Sequence, residues 1–367
     1  MSCFRGAIQN RLRKENFMQK QDSYDYYVGI DCAQNKHDFA MKNNQDKFLI
    51  KKGHFSNTLQ GYEKFLNTVL SKCLNKDKIL FGMEVTGIYG TNLYERLKSD
   101  GYHVVMISPD SVKNYRDYKR LNKTDKIDSA CIAELLLNGD AQIVHVEKNG
   151  YTDLKAYIRR RNALKVTCTQ ETNRFLAKVC LYFPDLLKVF PSGRATLKAI
   201  FSIYPTPYSI IEADFDELVS VLQKASKNKF GVDKANELIH AARNSIVVRK
   251  SISDGELYNI HSLIDSIDSL ESEIRNLEKI IDSKAEEFPA YHVLLTLTGC
   301  GKITAATIVA EIGDISRFHK ASQIVSLAGL YGDNSKSGSS VNKRGKISKK
   351  GSRYLRHAIY MVADFAR

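Results

Sequence analysis

Residues 26–55 read YYVGIDCAQNKHDFAMKNNQDKFLIKKGHF. The opening YYVGID (26–31) is an apolar run of strand length that stops on an acid, and DFAMKN (38–43) alternates apolar with polar. The polar residues Asn43, Asn44 and Gln45 then turn the chain back through DKFLIKKGHF (46–55). Three strands in hairpin order are the expectation. Downstream, Leu59, Tyr62, Leu66, Val69 and Cys73 recur at spacings of three and four, which is one face of a helix. A strand ILFGMEV (79–85), a helix from about Gly90 to Lys98, a strand HVVMIS (103–108) and a helix starting near Thr124 complete the series.

The order βββαβαβα is that of a ribonuclease-H-like fold, α/β in class. In such a fold Asp31 closes the first, central strand and Glu84 closes the fourth, so the two emerge side by side if those strands pair in parallel. Thr124 is a candidate helix N-cap, and Asp125 and Asp128, at i and i+3, share one helix face. A single acid at a helix start is more often a capping or dipole device, so the joint placement of all four carries the argument. Four converging carboxylates repel one another and call for divalent cations, for which oxygen ligands favour Mg²⁺ or Mn²⁺. Two such ions can clamp the attacking and leaving oxygens of a phosphodiester. Actin-like and sugar-kinase ATPases also open with a strand, Gly and Asp, but want an Asp-x-Gly turn. Here Cys32 and Ala33 follow Asp31.

Bulk properties agree with a nucleic-acid enzyme. A chain of 367 residues is long enough for two or three domains. A formal charge of +14 suits a polyanion, because phosphate contacts by Lys and Arg release condensed counterions. Residues 1–25 form a basic, polar leader without the apolar core of a signal peptide, and no apolar run has the length of a membrane span. A cytoplasmic protein with no membrane partner is expected. The seven cysteines show no CxxC pair and read as reduced thiols.

After the first domain (26–148) comes a helical middle, 149–290. Its first helix carries Arg159, Arg160, Arg161 and Lys165 and suits phosphate contacts, although a solvated face explains it nearly as well. Between 260 and 281, Ile260, Ile267, Ile274 and Ile281 alternate with Leu263, Leu270 and Leu277 at heptad spacing. Ile at a and Leu at d favour a parallel two-stranded coiled coil, hence a dimer; the alternative is an antiparallel hairpin within the chain. The mostly helical last segment, 291–367, opens LLTLTGCGKITAATIVAEIG, in which Gly299 and Gly301, followed by Lys302, bracket the turn of a helix-hairpin-helix-like pair, a device that offers backbone N–H groups to a nucleic-acid phosphate at a helix N-terminus. It continues into DNSKSGSSVNKRGKISKKGSRYLR, whose Lys336, Lys343, Arg344, Lys346, Lys349, Lys350 and Arg353 are suited to phosphodiesters.

The stretches YVGIDCAQNKHDF, FGMEVTGIYG, KTDKIDSACIAELL, LTLTGCGKITAATIVAEIGDISRF and AGLYGDNSKSGSSVNKRGKISKKGSRYLR together resemble the insertion-sequence transposases with a RuvC-like DEDD domain. That group includes the pilin-gene invertases and the bridge-RNA-guided recombinases. The resemblance implies a DEDD set at Asp31, Glu84, Asp125 and Asp128, and a nucleophilic serine at Ser337, in an SG dipeptide after the Gly329–Leu330 pair. It further implies a DNA recombinase that holds the cut strand as a phosphoserine, uses a structured noncoding RNA as guide, and works as a dimer or a tetramer. The chain departs from the pattern at Ser129, where Ala is usual, and at Gly332, where Pro is frequent. Ser335, Ser339 and Ser340 lie close enough to compete with Ser337. A junction-resolving nuclease would use the same acids with water as nucleophile, and a noncatalytic RNA- or DNA-binding protein would need neither.

Overall fold

The computed structural model describes residues 23–73, 75–85, 88–121, 124–144, 149–192, 194–332 and 347–365, except for the side chains of Asp125, Lys126 and Asn149. These residues fall into two compact units, within Met1–Val146 and Glu147–Arg367.

The first unit holds β1 (Tyr26–Cys32), β2 (Lys36–Asn43), β3 (Phe48–Ser56), α1 (Leu59–Leu70), β4 (Ile79–Glu84), α2 (Thr91–Ser99), β5 (His103–Ile107), α3 (Pro109–Tyr118), α4 (Asp125–Leu137) and β6 (Ile143–Val144). The strands form one six-stranded sheet in the order β3-β2-β1-β4-β5-β6. β1 pairs in parallel with β4, and β4 with β5, while the β1–β2, β2–β3 and β5–β6 pairs are antiparallel. This mixed sheet with helices on both faces is consistent with the ribonuclease-H-like order.

Alternation along each strand divides the side chains between the two faces. Val28, Ile30, Phe39, Met41, Phe81 and Met83 pack under α1 and α2. On the other face Tyr27, Leu80 and Ile107 meet Val112 of α3 and Cys131, Ile132, Leu135 and Leu136 of α4. Two elements go beyond the sequence expectation. α3 starts at Ser108-Pro109, a serine at the N-cap position and a proline in the first turn, but it buries only Ser111 and Val112 and so shows little apolar period. β6 is two residues long, too short to leave a pattern.

The second unit is helical: α5 (Asn149–Tyr182), α6 (Leu186–Val189), α7 (Arg194–Ile203), α8 (Pro207–Ile211), α9 (Phe215–Ser226), α10 (Val232–Arg243), α11 (Asp254–Ala285), α12 (Pro289–Leu295), α13 (Lys302–Ile312), α14 (Ala321–Leu327) and α15 (Arg353–Phe365). Here the coiled-coil expectation needs correcting. The isoleucine edge of α11 is buried inside the chain: Ile260 and Ile267 pack with Phe175 and Val179 of α5, and Ile281 with Leu154 and Ile158. The ion pairs Arg160–Glu273 and Lys178–Glu256 run in opposite senses along the two helices, so α5 and α11 form an antiparallel hairpin. Heptad periodicity fixes which face is buried but not which helix covers it, and α5 supplies both the apolar stripe and the matching charges. Ile267→Ala is expected to destabilise this unit by about 2–5 kcal/mol in urea melts. Because the isoleucine edge is covered within the chain, the loss is expected to be the same at every protein concentration, whereas a seam shared between two chains would make the loss itself concentration-dependent.

No helix among the described residues is long and apolar enough to cross a membrane. Cys32, Cys73, Cys131, Cys168, Cys180 and Cys300 are free thiols, four of them buried.

Candidate active site

Two short motifs, Gly29-Ile30-Asp31 on β1 and Gly82-Met83-Glu84 on β4, build one end of the sheet. The parallel register pairs Gly29 with Gly82 and Ile30 with Met83, so Asp31 and Glu84 occupy the next level side by side. The glycines are needed because α4 lies on them. A Cβ on Gly29 would stand 2.2 Å from the Ser129 carbonyl oxygen and 2.4 Å from the Ala133 nitrogen, and one on Gly82 would stand 2.7 Å from Leu136. Two residues along a strand returns to the same face, so both acids project on the side that α4 covers. Their nearness is felt by Cys32, whose thiol is pushed up to about 12, chiefly by burial and then by the charges of Asp31 and Glu84.

Thr124 caps α4, its hydroxyl accepting from the Ile127 N–H at 3.3 Å. Asp125 is therefore the first residue of that helix and Asp128 stands a turn further on. Asp128 is 5% exposed and lies next to Ser129, whose backbone touches β1. Its Oδ1 accepts a 2.6 Å hydrogen bond from the Arg116 guanidinium of α3. Around it, Glu134 accepts from the Tyr115 hydroxyl at 2.8 Å and meets Lys42 of β2. Arg116 went unnoticed in the sequence, since it lies in the helix that periodicity did not reveal.

Among the described residues, no three of His, Cys, Asp and Glu stand close enough to hold one metal ion between them. Asp31 and Glu84 are brought together, Asp128 is held by a cation from the protein itself, and the Asp125 side chain lies outside the described residues. In its chemistry the donor set fits a hard dication, since the acids offer only carboxylate oxygens; the charge of Asp128 is at present balanced by Arg116.

In the second unit, Arg160 and Arg161 are ion-paired with Glu273 and Glu278, Arg159 lies 3.4 Å from Glu311, and Lys165 is exposed. The α12–α13 pair does turn at Gly299, whose φ of +80° puts it in the left-handed region, and Gly301 is the N-cap of α13. Lys302 at the start of α13 pairs with Asp282 of α11.

Ser337, Lys336, Lys343, Arg344 and Lys346 lie outside the described residues, but the two ends of their segment are joined. Gly332 bridges Ile347, the Ser348 N–H donates to the Tyr331 carbonyl at 3.0 Å, and the Lys349 N–H donates to the Gly329 carbonyl at 3.1 Å. Gly351 crosses so closely that a Cβ there would stand 2.4 Å from the Leu327 carbonyl oxygen. Buried Glu311 accepts from the Ser352 hydroxyl at 2.8 Å, and Arg356 donates to the Ala328 carbonyl at 2.8 Å. In the GSRYLR motif, Gly351, Ser352 and Arg356 thus lock a neck, while Lys349, Lys350 and Arg353 remain exposed.

Residues 28–184 match a transposase family of the IS110 DEDD type, and residues 291–367 match the family described as Transposase IS116/IS110/IS902. A Streptomyces coelicolor protein named as the mini-circle transposase for IS117 is 22% identical over 329 residues, covering 84% of this chain and 77% of that protein. An uncharacterized 43.6 kDa protein of insertion element IS110 from the same organism is 23% identical over 66% of this chain and 60% of its own length. The pilin gene-inverting protein of Moraxella bovis is 34% identical over 119 residues, 32% of this chain and 35% of that protein.

Proposed function

From its membership of the IS110/IS116 family of transposases, we propose that this chain cuts and rejoins DNA through a phosphoserine intermediate, with Ser337 as nucleophile and Asp31, Glu84, Asp125 and Asp128 as its acid set. The observation that carries the reading is the placement of Asp31 and Glu84 at one level of two parallel strands, on the face that α4 covers. DEDD transposase domains imply a divalent metal in general, and Mg²⁺ or Mn²⁺ is the ion proposed here. When bound, such an ion supplies positive charge against the oxyanion developing at phosphorus.

The residues' own tasks follow from their chemistry. The acids hold the cation and, once the Ser337 hydroxyl is near, accept its proton. Ser337 Oγ attacks phosphorus, the Oγ–P ester forms as the P–O bond of the strand breaks, and the departing oxygen takes up a proton. A hydroxyl of a second DNA end reverses these events, so the strand is rejoined without a nucleotide cofactor. Lys349, Lys350 and Arg353, exposed beside the neck, face phosphates on this reading, and Lys336, Lys343, Arg344 and Lys346 extend the same basic run. Lys165 adds a contact from α5, while Arg159, Arg160 and Arg161 must trade a glutamate for a phosphate to do so. A structured noncoding RNA as guide is proposed from the family resemblance alone, the net charge of +14 being merely compatible with it, and the assembly proposed is a dimer that pairs into a tetramer.

The test is strand exchange between end-labelled element termini and target DNA, with any co-purified RNA, in Mg²⁺ and in EDTA. Joined products are expected with Mg²⁺ only. Equal joining in EDTA would refute the role given to the acids.

A further inference from the structure

We infer that Asp38, outside the DEDD set, is a further carboxylate ligand of the same divalent-cation site; this rests on the metal reading above.

The antiparallel register of β1 and β2 sets Asp38 directly opposite Asp31. Residues so paired project from the same face of the sheet with their Cβ atoms about 5 Å apart, and like charges placed there are destabilising. The face is the one under α4: Lys42, four residues further along β2, reaches Glu134 of that helix. Asp38 is 3% exposed, and its Oδ1 is buried with no hydrogen-bond partner among the described residues. A buried carboxylate oxygen left unsatisfied costs stability unless something else supplies a positive charge or a donor. Lys36 does not fill that need. It lies 3.5 Å from the other oxygen, Oδ2, with its own side chain 52% exposed.

A cation on this face meets both difficulties together. It balances Asp31 and Asp38, and it gives the orphaned Oδ1 a partner with the oxygen preference of a hard dication. Asp31 then stands between Glu84 on one neighbouring strand and Asp38 on the other, so the set spans three adjacent strands. Among the described residues no three of these groups close on one point, so Asp31, Glu84 and Asp38 would have to turn toward one another to hold a cation jointly.

The experiment titrates the whole chain with Mn²⁺, following the free-ion signal by electron paramagnetic resonance, and runs thermal melts in EDTA. Asp38→Asn is expected to weaken Mn²⁺ binding by at least about tenfold, the lower bound for residues around a metal site. It is also expected to melt in EDTA at or above the wild-type temperature, because the repulsion with Asp31 is gone. Asp38→Glu, which keeps the charge, is expected to bind more tightly than Asp38→Asn. Wild-type affinity in Asp38→Asn would overturn the assignment while leaving the metal reading in place. So would a large fall in its melting temperature in EDTA, which would make Asp38 a folding residue. Failure of the wild type to bind Mn²⁺ would overturn both.

Discussion

Asp31→Asn is expected to lower DNA strand cleavage in Mg²⁺ by at least about a hundredfold while leaving the fold intact. Residues that only orient metal ligands typically cost about 10- to 100-fold when changed, and Asp31 is assigned direct contact. Its position explains why no neighbour substitutes for it. It is the next-to-last residue of a central strand of the sheet, level with Glu84 on β4 and opposite Asp38 on β2, so its loss leaves those two without the group between them. Asn keeps the size and removes the charge, so the protein should still fold. Single-turnover cleavage of a labelled DNA end, with circular dichroism on the same samples, reads both effects. Cleavage within a few-fold of wild type would remove Asp31 from the chemistry.

Gly29→Val is expected to cost the first unit about 3 kcal/mol or more, enough to shift its urea midpoint well below wild type. The added Cβ alone meets the Ser129 oxygen at 2.2 Å and the Ala133 nitrogen at 2.4 Å. Both are backbone atoms, so relief requires α4 to move off the sheet, and Asp125 and Asp128 move with it. Activity should therefore fall with stability. Gly255→Ala is the control, since no atom lies within 4 Å of a Cβ built there, and it should stay within about 1 kcal/mol of wild type.

The first unit was legible because strands that alternate, or that run wholly apolar into an acid, announce their type and their place to within one or two residues. The same reading also set Thr124 as a cap, since β-region Thr before an acid-rich first turn is a local signal. What escaped were facts of register and partnership. Asp38 looked like the polar position of an alternating strand, and only the cross-strand pairing with Asp31 gives it a meaning. Arg116 belongs to a helix with too small an apolar face to show a period. Arg160 and Arg161 read as free cations because their glutamates lie over a hundred positions away. The isoleucine heptad told which edge of α11 is buried, while its partner, α5, had no comparable repeat of its own.

The covalent link is the most direct test of the account. Wild-type protein is incubated with end-labelled element-terminal DNA, co-purified RNA and Mg²⁺, then run on a denaturing gel. A labelled protein–DNA band is expected from the wild type and expected to be lost in both Ser337→Ala and Asp31→Asn. A band of undiminished intensity in Ser337→Ala, or DNA cleavage that survives Ser337→Ala with no band from any form, would contradict it and point instead to water as the nucleophile.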